Sequence, residues 1–164
     1  MENNLSPIEI FYKMRNMALN LDPEDIGAHS KKELKEVYGV LMEIGHPDGA
    51  ITLIILADGT VSLYYEVGGG IIGAGHEENV KQASLNFLIK VEHFLQEFKI
   101  ATVGMLPTNG HVTFYVLTYK HGILTADVSE SVLGERKHGL SEVFYAGHNV
   151  ISELRKIEEF RRAK

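Results

Sequence analysis

The residues of this chain best placed to do chemistry are the glycines of Gly68-Gly69-Gly70-Ile71-Ile72-Gly73-Ala74-Gly75. Gly68, Gly70 and Gly73 satisfy G-x-G-x-x-G between a segment that reads as a strand and one that reads as a helix. Glycine lets backbone amides come close to a ligand, and at a helix N-terminus such amides can cradle phosphate. Gly68, Gly70, Gly73, Gly75 and His76 are therefore the candidate cofactor-binding residues. Their context weighs against a dinucleotide site. The strand before them belongs to an antiparallel hairpin, not to a βαβ unit. The strand expected after the helix, Ala101–Met105, does not end in the acid that would hold a ribose. No lysine follows the glycines, as a P-loop requires, and Glu77 and Glu78 put negative charge where phosphate would sit. A flexible crossover from sheet to helix is the plainer reading. No cofactor is expected.

Other chemistry is thinner. The eight histidines (His29, His46, His76, His93, His111, His121, His138 and His148) form neither H-E-x-x-H nor H-x-H. His76-Glu77-Glu78 offers metal-ligating types, but that pattern at a helix start more often caps it, and no metal site is expected. There is no G-x-S-x-G, and Ser62 and Ser84 fall at strand and helix positions without elbow glycines. Glu130 and Glu135 share a loop whose geometry the sequence does not give. Tyr64, Tyr65, Tyr115 and Tyr119 fall on strands, where tyrosine most often packs or lines an interface. The absence of cysteine excludes disulfides, thiolate metal sites and a cysteine nucleophile.

The formal net charge is −6, from 22 acidic and 16 basic residues. That total does not supply the basic footprint of a nucleic-acid binder. Arg155, Lys156, Arg161, Arg162 and Lys164 cluster at the C-terminus but alternate with Glu153, Glu158 and Glu159, as on a solvated helix end. The longest apolar run, Ala50–Ala57, is too short to span a bilayer. Met1-Glu2-Asn3-Asn4-Leu5 lacks the basic and apolar regions of a signal peptide, so a cytoplasmic location is expected.

The elements that must position these residues follow from local pattern. Ser6-Pro7-Ile8-Glu9 has the form of a capped helix start, and Ile10, Met14 and Met17 recur at helical spacing, with Phe11 and Ala18 on the adjoining flank. Leu21–Asp25 is a turn or short second helix, and Ser30–Glu36 is helix or loop. Val37–Ile44, Ala50–Ala57 and Thr60–Val67 read as a meander turned at His46–Gly49 and at Asp58-Gly59. In its last strand Val61, Leu63, Tyr65 and Val67 share one face. A long helix is expected over Glu77–Phe98, with Val80, Phe87, Val91, Phe94 and Phe98 as its buried stripe, widened by Leu85, Leu88 and Leu95. A second meander follows over Ala101–Met105, Val112–Tyr119 and Ile123–Val128. After a loop, Ser129–Gly139, Ser141 caps a final helix lined by Val143, Gly147, Val150, Leu154 and Ile157. Gly49–Leu56 and Gly110–Leu117 echo each other in glycine, threonine and leucine, which either duplication or convergent hairpin chemistry explains.

The 164 residues suit a single α+β domain: a helical segment (1–36), three strands plus a helix (37–98), then three strands plus a helix (99–164). The expectation is one mostly antiparallel sheet of about six strands with two long helices on one face. In architecture alone, helices around glycine-turned hairpins resemble roadblock-like and profilin-like adaptor domains, from which the extra first-set strand departs. Two functions fit. One is a non-catalytic interaction or regulatory module, of adaptor or immunity type, whose acidic surface suits a basic protein partner. A homodimer is also expected, because two meanders leave sheet edges to cover. The other is a small-molecule or phosphate-ligand binder, or an enzyme, built on residues 68–76.

Overall fold

Ser6 begins the first helix by a reciprocal cap. In the structure, a computed structural model describing residues 4–100 and 102–163, the Ser6 hydroxyl accepts from the Glu9 N–H at 3.3 Å. The Glu9 carboxylate accepts in turn from the Ser6 N–H at 2.7 Å. Helix α1 (Pro7–Leu19) follows, then a short 3₁₀ turn (Pro23–Ile26) capped by Asp22.

Among the described residues, seven strands form one antiparallel sheet: β1 (Val37–Ile44), β2 (Ile51–Leu56), β3 (Val61–Tyr65), β4 (Gly70–Ile71), β5 (Lys99–Ile100), β6 (His111–Thr118) and β7 (Gly122–Ser129). The spatial order is β4-β3-β2-β1-β6-β7-β5. Helices α2 (Glu78–His93), α3 (Glu130–Gly134) and α4 (Ser141–Arg162) complete the chain. The class is α+β as expected, and α2 and α4 pack together on one face of the sheet.

The period of two along the strands gives the sheet two cores. Val40, Met42, Ile44, Leu53, Leu63 and Phe114 meet Phe87 and Val91 of α2 and Val143, Val150 and Leu154 of α4. On the other face Leu41, Ile54, Leu56, Tyr115 and Leu117 meet Ala18 and Leu19 of α1. A bulge between Val37 and Gly39 switches the alternation, so Val37 joins the first core and Tyr38 the second. Tyr38 then donates its hydroxyl to the Leu21 carbonyl at 2.7 Å, which ties the end of α1 to the centre of the sheet.

Several expectations are corrected. The glycine run is not a simple crossover, for Gly70–Ile71 turns back to pair with β3. No strand forms over residues 102–105, and Ala101 lies outside the described residues. The place beside β6 is taken by β1, and the chain instead adds Lys99–Ile100 to the outer side of β7. The two strand sets therefore do not pair alike. Helix α2 ends at His93, and a 3₁₀ turn (Leu95–Glu97) swings Phe98 inward onto Phe114, with ring centroids 6.1 Å apart. Phe94, at the C-cap, is only half-buried, and Leu85 is exposed. Val67 lies in the turn after β3 and is exposed. Ser141 is the first residue of α4, not its cap, because Leu140 holds the capping position. Part of the loop at 129–139 is the helix α3.

Candidate functional site

The glycines expected to cradle a ligand build a hairpin beside α1. The Gly68 N–H donates to the Tyr65 carbonyl at 2.9 Å, and the Tyr65 N–H donates to the Gly69 carbonyl at 3.1 Å. Gly68 and Gly69 hold φ of 122° and 83°, a region that side chains rarely enter. Gly70 lies so close to the Leu63 carbonyl, and Gly75 to the Gly59 carbonyl, that a Cβ on either would overlap backbone. These close approaches are to the chain itself. The carbonyls of Ile72 and Gly73 accept from the Arg161 guanidinium at 3.3 and 3.4 Å. His76 is exposed, with Nε2 3.6 Å from the Glu77 carboxylate. Sequence order thus keeps Gly68–Gly70 at the α1 side and Gly75–His76 at the start of α2, near the β2–β3 turn.

Between this hairpin and α1 runs a groove of about 270 Å³ lined by Pro7, Ile10, Phe11, Tyr64, Gly69 and Ile72, among others. Gly69 and Gly70 form part of its wall. Ile10 is 41% exposed and Ile72 59%. Met17, one flank with Ile10 by helical spacing, is 58% exposed. Of the residues Ile10, Met14 and Met17 that recur at helical spacing, Ile10 lines the groove, Met14 is half-buried and Met17 is exposed. The buried stripe is Phe11, Arg15, Ala18 and Leu19.

Arg15 is the reason. Its Nε and one terminal nitrogen meet the two oxygens of Glu43 at 2.7 and 2.9 Å, and Glu43 is wholly buried on the central strand β1. Thr52 on β2 donates to Glu43 at 2.8 Å. Arg15 also donates to the Gly104 carbonyl at 3.1 Å and lies 5.6 Å from the centre of the Tyr115 ring. The Tyr115 hydroxyl accepts from the Gly104 N–H at 3.0 Å. Burial opposes the charge on Arg15, but the hydrogen bond and charge of Glu43 outweigh it, and its pKa is raised. This bidentate pair fixes the rotation of α1 and the path of residues 102–106. The sequence carries a signal for it: a lone glutamate in an otherwise apolar strand and an arginine four residues after Phe11.

The histidines do not converge. Among the described residues no group of three or more His, Asp or Glu side chains forms a metal site. His111 pairs with Asp127 at 3.1 Å and His121 with Glu36 at 3.7 Å, both near the surface. His148 differs: its ring lies 4.4 Å from that of Phe144, and its Nε2 is buried without a hydrogen-bond partner. Burial lowers its pKa below 6.5, helped by the charges of Arg155 and His46. Of the serines and acids considered from sequence, Ser62 is buried on β3, Ser84 is buried on α2, and Glu130 and Glu135 sit at the two ends of α3.

Fold and site together define a seven-stranded antiparallel α+β domain with an apolar groove between its first helix and a glycine hairpin. No protein-family model, no curated protein and no solved structure matches the chain.

Proposed function

We propose that this protein is a non-catalytic interaction module whose groove beside the glycine hairpin receives a bulky apolar side chain of a basic protein partner. The observation that carries the reading is the groove itself, with Ile10 and Ile72 exposed along it. Exposed apolar side chains gathered in one place mark interaction sites more often than exposed ones scattered singly. Charge supports the choice of partner. Glu9, Asp22, Glu24 and Asp25 lie on α1 and the turn after it. Against them stand Lys13 and, beside Ile72, Arg161, whereas Arg15 is neutralised by Glu43. The basic C-terminal end gives less support to nucleic acid, since Lys156 and Arg162 pair with Glu153 and Glu158 on the same helix. Among the described residues no helix is long and apolar enough to cross a membrane.

The test is affinity capture at matched expression with the protein and with Ile72→Glu and Ile10→Glu, both at exposed positions. A stoichiometric basic protein, captured by the parent and lost from both variants, is the expected result. Sedimentation of the parent alone reports whether a second copy of the chain occupies the groove. A partner that binds the variants as tightly as the parent overturns the reading.

A further inference from the structure

A second cavity, of about 520 Å³, lies away from the groove, between residues 31–34, the β2–β3 turn and the outer side of α2. That volume falls in the range of small-molecule pockets, roughly 300–1,000 Å³. Leu34, Leu56, Leu85 and Leu88 supply apolar wall, and Leu85 stands 44% exposed at its mouth. Ser84 lines the same cavity, is only 5% exposed, and has a hydroxyl with no hydrogen-bond partner. An unpartnered buried hydroxyl is costly and calls for an explanation.

Lysines surround this wall. Lys31, Lys32 and Lys81 all line the cavity and are exposed. None of the ion pairs among the described residues involves any of them. Two acids, Glu33 and Asp58, line it as well, so three cations against two anions leave the cavity a formal charge of +1. The order along α2 is informative. Lys81, Ser84, Leu85 and Leu88 follow at i, i+3, i+4 and i+7, so they form one line along the helix. That line runs from a cation, through a free hydroxyl, to apolar carbon.

We propose that this cavity binds an amphipathic carboxylate, with its apolar body against the leucines and its carboxylate between the lysines and Ser84. On binding, the Ser84 hydroxyl, buried in the free protein, turns about χ1 to donate to the carboxylate, and Lys81 sits one turn above it on the same helix. Free lysines give long-range attraction, and the hydroxyl gives a short bond that a neutral head does not reward as well.

The probe is octanoate, titrated calorimetrically into the whole protein, beside octanol and acetate. Octanoate is expected to bind saturably at one site and to raise the melting temperature. Octanol, with the same body and no charge, should bind about tenfold less tightly, the scale of a lost charge-assisted hydrogen bond. Acetate, with the head alone, should not saturate. Ser84→Ala should weaken octanoate several-fold while leaving the ligand-free melting temperature equal or higher, a pairing that loss of a structural serine would not give. Leu85→Glu, at an exposed position, should abolish binding. Ile72→Glu should leave it intact, which separates this site from the groove beside α1. Equal binding of octanol, no saturable binding of octanoate, or full affinity in Ser84→Ala and Leu85→Glu overturns the proposal.

Discussion

Glu43 and Arg15 show how one residue pair decides where a whole helix faces. A carboxylate at full burial on a central strand is tolerable only with its lone pairs occupied, and here Arg15 and Thr52 occupy them. Removing one partner leaves the other charge buried alone, which costs roughly 3–5 kcal/mol in comparable pairs. Glu43→Gln should therefore lower the urea midpoint markedly. The double replacement Glu43→Leu with Arg15→Met should regain most of the loss, because neither charge then remains. A Glu43→Gln protein as stable as the parent would mean that the pair does not hold α1 to the sheet. The pair was readable as a signal but not as a contact. Glu43 and Arg15 are 28 positions apart, and nothing in the local period says that α1 lies on the face that Glu43 enters.

At the scale of elements, what is local was legible and what is long-range was not. The Ser6 cap, the β1 boundaries and the Asp58-Gly59 turn follow from side chains acting on backbone a few residues away. The two-residue strands β4 and β5 carry no period of their own, and only their pairing to β3 and β7 makes them strands. The inner face of α4 was legible because Val143, Gly147, Val150 and Leu154 keep one helical phase. The C-terminus of α2 was not, since burying Phe98 on Phe114 bends the chain where the apolar stripe would continue it. The glycine motif was legible as a pattern, but the groove it leaves depends on α1 lying beside it. Its glycines divide into two kinds that substitution can tell apart. Gly70→Ala places a Cβ against the Leu63 carbonyl and should loosen the β3–β4 hairpin. At Gly73 the space is open but φ is 70°, so Gly73→Ala should cost only about 1–2 kcal/mol. With its Ile72 and Gly73 carbonyls turned to Arg161, the loop should give no nucleotide-dependent rise in melting temperature. A rise of several degrees with a common nucleotide, lost in Gly73→Ala, would instead favour the phosphate-cradle reading.

For the molecule as a whole, the sheet ends on each side in a strand of two residues, and among the described residues β5 covers β7 only at Leu124 and Thr125. Its stability then rests on the two helix layers, and His148 makes one of them sensitive to pH. His148 lies on α4, edge-on to the Phe144 ring, within the field of Arg155 and of His46 in the β1–β2 turn. Burial first, and then these charges, hold its folded pKa below the ordinary 6.5. The sign follows from linkage. Well above pH 6.5 the imidazole is neutral in both states and the full stability is present. As pH falls below that value the unfolded chain takes up a proton that the folded protein resists, so stability drains away. The loss levels off once pH has passed the lower folded pKa. Urea unfolding at a series of pH values from neutral to mildly acidic should show this decline, and His148→Gln should flatten it while the parent and variant converge toward the acidic end. If the variant keeps the parent's slope, the acid sensitivity belongs to other groups and α4 is not its source.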